Sequence, residues 1–395
     1  MSSERTVTII GAGVGGLTLA AVLERNGVNV RIFEQSKGFS RVGTGIGCTP
    51  NAVRVLWGLG LKDKLDPISY EPEYRVSREG DTGKEIFRSP LKGYFLERFG
   101  APRLLFHRGD LHQVLNEMVS PGVVRFGMQL QTAEQRDDKV LLRFANGDEE
   151  LCDAVVAADG VHSVIREALF GVPDTRYSGM VAYRSVFPVE LMDRPLQDPD
   201  SKWWGPDRHI VVYYVSAGRE VYFTTSVPHD DWIAESFSAE GSLEELRDAF
   251  AGFHPELRRV LDACPKTQKW AIYNRQPLPT WQNGVAALLG DACHPMTPFM
   301  QQGAATAMED ATILGRCIVE GGDASYQETF ARYEAIRKPR TTVIQHESNH
   351  NRWNKTMIGN NIVSPEWVYS YDAWNTPLDE LAVMPEKIAA YEATL

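Results

Sequence analysis

Three stretches of this chain carry small and acidic residues at spacings suited to holding a nucleotide. The first is Gly11-Ala12-Gly13-Val14-Gly15-Gly16. Gly11 can make a tight turn, Gly13 lets the backbone reach a pyrophosphate, and Gly16 lets a helix and a strand pack closely. Glu34 follows at the distance from which an acid holds an adenosine ribose by its hydroxyls. An acid there disfavours a 2′-phosphate, so FAD or NAD suits the site better than NADP. The second stretch is Asp159-Gly160-Val161-His162-Ser163, another glycine turn and a second ligand surface at the same crevice. The third runs from Gly284 to Asp310, GVAALLGDACHPMTPFMQQGAATAMED. In it Asp291 is placed to accept from a sugar-like hydroxyl, or else to cap a local turn. Gly303, Ala304 and Ala305 let a ligand approach the start of a helix, where free N–H groups favour electron-rich atoms.

Each stretch needs a strand before it and a helix after it, and the flanking residues supply both. Thr6 to Ile10 is a β-branched run, LTLAAVLERNG repeats its apolar residues at helical spacing up to Gly27, and Val28 to Phe33 reads as a second strand. Val285 to Leu289 is an apolar strand ahead of the third turn, with a helix opening near Gly303. Ser36 to Asn51 is a glycine-rich loop lying against the ligand, and Arg41, its only guanidinium, either meets that ligand or is a solvated charge. Ala52 to Lys64 looks helical, and Pro67 to Ser89 alternates like strand. Arg108 opens a helix with Asp110 as its expected cap, and either meets a phosphate or flavin side chain or pairs with a nearby acid. Val123 to Ala157 holds three strands separated by the polar turns EQRDDK and NGDEE. From Met180 to Lys266 aromatic and β-branched residues predict an antiparallel sheet with a small helix at Ser242 to Phe253. That sheet either walls a pocket for a flat aromatic molecule or simply fills its own core. Tyr326 to Trp353 reads as helix, and the aromatic tail packs on the body or on a partner chain.

The 395 residues exceed the usual single core, so two units sharing a cleft are expected. A net charge of −11 argues against nucleic acid, which needs a basic surface, but not against a small anionic substrate held by a few buried arginines. The five cysteines form no CxxC pair and no metal spacing, so no metal is implied and reduced, cytoplasmic thiols are expected. No signal pattern precedes the first strand, and no run of about 18 apolar residues is present to cross a membrane.

Taken together, GAGVGG with Glu34, ADGVHSVIR at 158–166 and LLGDACHPMTPFMQQGAATAMEDA at 288–311 resemble the single-component FAD-dependent aromatic hydroxylases, over nearly the whole chain. The stretches KWWGPDRHIVVYY, TTSVPHDDW and PEWVYSYD look most like members that act on hydroxylated pyridine acids. The resemblance implies an α/β fold: a Rossmann-like FAD-binding domain of the GR2, 4-hydroxybenzoate-hydroxylase-like type (1–72, 98–179 and 268–345). It also implies an inserted antiparallel-sheet substrate domain (73–97 and 180–267) and a C-terminal helical tail (346–395). Ala12, Val14 and Gly15 with the three fingerprint glycines, Glu34, Gln35 and Arg41 would then hold the ADP half of FAD and its flank. Arg108, Leu130 and Asp291 would contact its adenine, pyrophosphate and ribityl portions. Asp159 and Gly160 would lie near the pyrophosphate and a passing nicotinamide nucleotide, and Pro298, Gly303 and Ala304 against the isoalloxazine. His209 and Tyr213 would orient and deprotonate the substrate hydroxyl, with Cys48, Pro295 and Phe299 lining the ring. His209 as a satisfied core histidine is the competing reading.

The implied reaction consumes NADH or NADPH and O2 and hydroxylates a hydroxylated aromatic or pyridine carboxylic acid, with or without loss of the carboxylate. A reduced flavin gives with oxygen a C4a-hydroperoxide that only an electron-rich ring attacks, so a base and the exclusion of water are both required. The chain departs from the nearest pattern at Gly47 and Phe299, where histidines are usual, so a related but different acid is expected. The alternatives are a flavin reductase or dehydrogenase on the same fold and a non-enzymatic flavin-binding redox sensor. A monomer or homodimer is expected.

Overall fold

The computed structural model describes residues 6–41, 43–172, 176–230, 239–350 and 363–379. Thr6–Ile10 is the centre of a six-stranded sheet. Asn29–Glu34 and then Val124–Phe126 lie parallel on one side, and Ala154–Ala157 and then Ala286–Leu288 on the other; Gln282–Asn283 closes that edge antiparallel. Val7, Ile9, Val155, Val156 and Leu288 have no exposed surface, as befits parallel strands covered on both faces. Ile10 lies opposite Ala157, and Ala157 opposite Leu288. That register brings the three turns that follow these strands out side by side at one edge.

Two helices cover this edge, and glycine sets how closely. A Cβ on Gly16, in the helix Val14–Arg25, would lie 2.1 Å from the Gly11 carbonyl oxygen. One on Gly315, in the helix Gly303–Glu320, would lie 2.5 Å from Val22 Cγ1. Both contacts are far inside van der Waals distance, so only glycine permits this packing.

An eight-stranded sheet stands opposite. Its order is Ala239–Gly241, Thr267–Asn274, Arg176–Pro188, Glu220–Pro228, His209–Val215, Asp200–Trp204, Tyr74–Glu79 and Glu85–Pro90. All neighbours are antiparallel except Asp200–Trp204 with Tyr74–Glu79. Strand alternation sorts the side chains. Tyr183, Trp203, Ile210, Val212, Val221 and Phe223 form one core with the helices Leu243–Ala249 and Pro255–Ala263. The opposite parity, including Lys202, His209, Tyr213 and Tyr222, faces the six-stranded unit across a cavity.

Several sequence expectations shift. The second chain segment of the eight-stranded sheet runs from Arg176 to Asn274, past the expected 180 and 267 at both ends, because Thr267–Asn274 pairs along Arg176–Pro188. The polar run EQRDDK is strand as far as Arg136, and the turn is confined to the next residues, with Asp137 at φ 51°. Ala52 to Lys64 is two helices, Pro50–Gly58 and Lys62–Leu65, parted near Gly60 at φ 82°. The helix cap at Arg108 is His107, whose Nδ1 accepts from the Gly109 N–H at 3.1 Å, and not Asp110. The helix Pro255–Ala263 was not anticipated. The expected tail boundary at 346 falls inside the continuous helix Tyr326–His350, and beyond it the short helix Pro365–Tyr369 is described. The helical expectation for 351–353 and most of the tail lie outside the described residues. Among the described residues no helix is long and apolar enough to cross a membrane.

Candidate active site

The cavity between the two sheets has a volume of about 390 Å³. Its first wall is built by the glycine turns. Gly13 and Gly15 come from the first, Gly160 from the second, and Gly290 and Asp291 from the third. A Cβ on Gly11 (φ 98°) would lie 2.4 Å from the Ala158 carbonyl oxygen, so the first turn rests directly on the second. Arg166 ties the second to the third, donating to the Val161 and Ala292 carbonyls at 2.9 and 3.0 Å.

Two helix starts open on this wall, and neither carries a side-chain cap or an acid in its first turn: Val14–Arg25 after Gly13, and Gly303–Glu320 after Gln302. Their first N–H groups are left for an electron-rich ligand. A Cβ built on Gly13 meets nothing within 4 Å. That glycine is not required by the packing of the protein, in contrast to Gly16. The space beside it is the cradle that a pyrophosphate needs. Arg108 and Asp291 are deep in the fold yet exposed to the cavity. Burial lowers the Arg108 guanidinium and raises the Asp291 carboxyl, and each partly offsets the other's shift. Uncapped helix ends, an open glycine and a cation–carboxylate pair together fit FAD: Gly13 and Arg108 for its phosphates, Asp291 for its ribityl hydroxyls.

Other expected cofactor residues sit around this wall rather than on it. Glu34 accepts the Ala12 and Ser36 N–H groups, both at 2.8 Å, which fixes its carboxylate beside the first turn. Gln35 is exposed next to it. Leu130 is buried at the start of a strand in a separate three-stranded sheet; two residues earlier Met128 donates to the Glu34 carbonyl at 2.9 Å. Asp159 accepts from the Ile165 N–H at 3.3 Å at the start of the helix Val164–Phe170, while its Oδ1 is buried without a partner among the described residues. Arg41 is held by two carboxylates: Nε lies 2.7 Å from Asp110 Oδ1, and Nη1 lies 3.0 Å from Glu220 Oε1. It joins the loop to the eight-stranded sheet and does not line the cavity.

The opposite wall carries His209, Tyr213 and their aromatic neighbours. His209, 5% exposed, lies with its ring 5.0 Å from Trp204 and 5.5 Å from Phe299. Tyr213 packs on Tyr222 at 4.9 Å. Gly45 makes room for that pair, since a Cβ there would lie 2.5 Å from Tyr222 and 3.1 Å from Tyr213. Burial pushes the Tyr213 phenol well above its ordinary value, reinforced by Tyr222 and opposed by Arg103. Tyr213 therefore keeps its proton at neutral pH. Pro298 and Phe299 line the cavity on a loop pinned from behind: Gln345 donates to the Pro295 carbonyl at 3.0 Å, and the Thr297 N–H donates to Asn349 at 3.0 Å. Pro295 and Cys48 are buried behind the wall, and burial pushes the Cys48 thiol up to about 12.

Sequence reasoning missed the charged floor. Arg75 and Lys202 line the cavity, and Arg103 stands behind them. Arg103 pairs with the fully buried Asp200, and Arg75 is 4.0 Å from the same carboxylate. Gln301 Oε1 accepts from Arg103 at 3.0 Å and from Arg75 at 3.4 Å. Gly47 lies beside this carboxamide: a Cβ there would be 3.4 Å from Gln301 Oε1, an ordinary van der Waals contact. The pairing of Lys202 with Val211 puts Lys202 on the same face as His209 and Tyr213, a relation that only the register between the two strands reveals. Among the described residues no group of His, Cys, Asp and Glu could hold a metal ion.

Comparison with known proteins adds a lineage to this geometry. A family model described as FAD binding domain matches residues 4–348. The chain is 40% identical to 6-hydroxynicotinate 3-monooxygenase of Pseudomonas fluorescens over 383 residues, 96% of this chain and 98% of that protein. Among solved structures, Klebsiella pneumoniae HpxO complexed with FAD and uric acid superposes with a TM-score of 0.78 at 27% identity, covering 88% of each chain. A salicylate hydroxylase substrate complex shares the fold, with a TM-score of 0.80 at 22% identity over 98% of this chain and 99% of that one.

Proposed function

The chain belongs to the FAD binding domain family, and from that premise we propose that it is an FAD-dependent monooxygenase hydroxylating a hydroxylated aromatic or pyridine carboxylic acid with NAD(P)H and O2. One observation carries the assignment. Three glycine turns at the ends of adjacent strands share a cavity with a sheet bearing His209 and Tyr213. When bound and reduced, FAD supplies the activated oxygen; everything else is the work of this chain.

That work has three parts. The turns at Gly13, Gly160 and Asp291 bind and orient the cofactor. The pinned loop with Pro298 and Phe299 closes the space above the substrate ring and keeps water from it, which prevents loss of reducing power to hydrogen peroxide. His209 takes the proton from the ring hydroxyl, making the ring electron-rich enough to be oxygenated. Tyr213, protonated at neutral pH, orients the ring as a hydrogen-bond donor.

The test is NADH oxidation by FAD-loaded protein with a panel of hydroxylated benzoates and pyridine carboxylates. Stimulated turnover with a product heavier by one oxygen, or by one oxygen less a carboxyl group, supports the assignment. NADH consumption without an oxygenated product would instead identify a flavin reductase or dehydrogenase, and the absence of turnover a flavin-binding sensor.

A further inference from the structure

Among the described residues, the cavity floor holds more positive charge than its carboxylates neutralise. Arg75, Arg103 and Lys202 converge there with Asp200 as the carboxylate between them. Asp200 is committed to the arginines. Arg103 pairs with it directly, Arg75 stands 4.0 Å away, and Gln301 bridges the two guanidiniums from the other side. Lys202 has no such partner. Its ammonium sits 3.9 Å from the centroid of the Trp204 ring, and among the described residues no carboxylate lies within ion-pair distance of it. A buried ammonium satisfied by an aromatic face alone is costly to keep. It faces a cavity large enough for a small molecule.

We propose that Lys202 and Arg75, with Arg103 backing them, form an anion subsite that receives the carboxylate of the substrate. The inference rests on the monooxygenase assignment for the ring but not for the charge. The sheet fixes the geometry. Lys202 and His209 are on adjacent antiparallel strands and share a face, with Lys202 opposite Val211 and Trp204 opposite His209. A carboxylate on Lys202 therefore directs the remainder of the ring along the neighbouring strand, past Val211, with His209 to one side and Tyr213 to the other. Burial, reinforced by Arg75, pushes the Lys202 ammonium well below the ordinary lysine value, and an incoming carboxylate reverses that shift. This cluster selects for charge on the ring substituent.

The test is equilibrium titration of the FAD-loaded enzyme, read from the flavin absorbance and fluorescence change. Three acid–amide pairs serve as probes: 6-hydroxynicotinate with its amide, salicylate with salicylamide, and 4-hydroxybenzoate with 4-hydroxybenzamide. The expected result is that at least one acid binds tighter than its amide by on the order of 100-fold. That preference falls below about tenfold in Lys202→Met and is retained in Lys202→Arg. Equal affinity for acid and amide, an unchanged preference in Lys202→Met, or no binding of any acid to flavin-loaded protein overturns the subsite. The two ideas fail separately: an enzyme that oxygenates uncharged rings as well as acids keeps its assigned chemistry and loses the anion subsite. A protein that discriminates acid from amide yet forms no oxygenated product keeps the subsite and loses the chemistry.

Discussion

His209 and Tyr213 stand on one strand, His209–Val215, on the same face and with Val211 between them. Four residues of strand separate their Cα atoms by about 13 Å. The two side chains therefore address different parts of a bound ring rather than each other. Trp204 and Phe299 enclose the histidine end, and Tyr222 and Gly45 the tyrosine end.

This spacing sets the outcome of a double-mutant cycle. His209→Gln removes the proton acceptor and is expected to lower the hydroxylation rate by roughly 100-fold, a usual size for loss of a general base. Tyr213→Phe removes a donor and is expected to cost less, mainly in substrate affinity. If the two act on separate parts of the ring, their effects on kcat/KM add on the free-energy scale; a direct proton relay between them would make the double variant no worse than His209→Gln. Because Tyr213 keeps its proton at neutral pH, the pH profile of the wild type near neutrality is expected to persist in Tyr213→Phe. Loss of that profile would return the role of base to the tyrosine.

Gly13 and Gly16 belong to one fingerprint but answer to different constraints. Gly16→Ala drives a Cβ into the Gly11 carbonyl and is expected to destabilise the protein with or without cofactor. Gly13→Ala meets no protein atom within 4 Å, so the cofactor-free protein should melt within a degree or two of wild type while FAD affinity falls at least tenfold. Thermal melts with and without FAD separate the two. Equal FAD affinity in Gly13→Ala would move the pyrophosphate away from the first turn.

Arg41 offers a test in the other direction. With Asp110 and Glu220 as its partners, Arg41→Met is expected to leave FAD affinity within about threefold of wild type, since the guanidinium is already engaged. Arg41 holds the Glu220 carboxyl below its ordinary range, so this contact stabilises the fold above that range and is lost as the pH falls through the lowered value. The variant should flatten that acid limb of stability. A large loss of FAD affinity would instead place Arg41 on the cofactor.

The strand–turn–helix frame of the cavity's first wall was legible because its signals are local. Gly11, Gly16, Glu34 and Asp291 each sit a fixed number of residues from a strand end, and backbone geometry makes that distance nearly sufficient. The charged floor was not legible, because it depends on register between distant segments. Arg75, Arg103, Asp200 and Gln301 lie far apart in sequence and meet only after the parallel pairing of Asp200–Trp204 with Tyr74–Glu79 is set. The ion pairs of Arg41 were not legible for the same reason: its partner Glu220 is 179 residues away. The turn EQRDDK was misread because exposed strand in a small sheet can be as polar as a loop.

Lys202 closes the argument, because a binding role and a structural role lead to opposite stability changes. A lysine kept for stability would destabilise the fold when removed. An ammonium kept for a ligand carries its desolvation cost in the ligand-free protein, so Lys202→Met is expected to be more stable than wild type by on the order of 1 kcal/mol at neutral pH. The pH dependence fixes the sign. The folded-state value lies below the unfolded one, so the penalty is greatest when Lys202 is protonated in both states. It fades as the pH rises from the lowered value toward the ordinary lysine value. Denaturant titrations at about pH 7 and about pH 10 should therefore show the stability gap between Lys202→Met and wild type narrowing as the solution becomes more alkaline. A variant less stable than wild type at both would make Lys202 part of the scaffold.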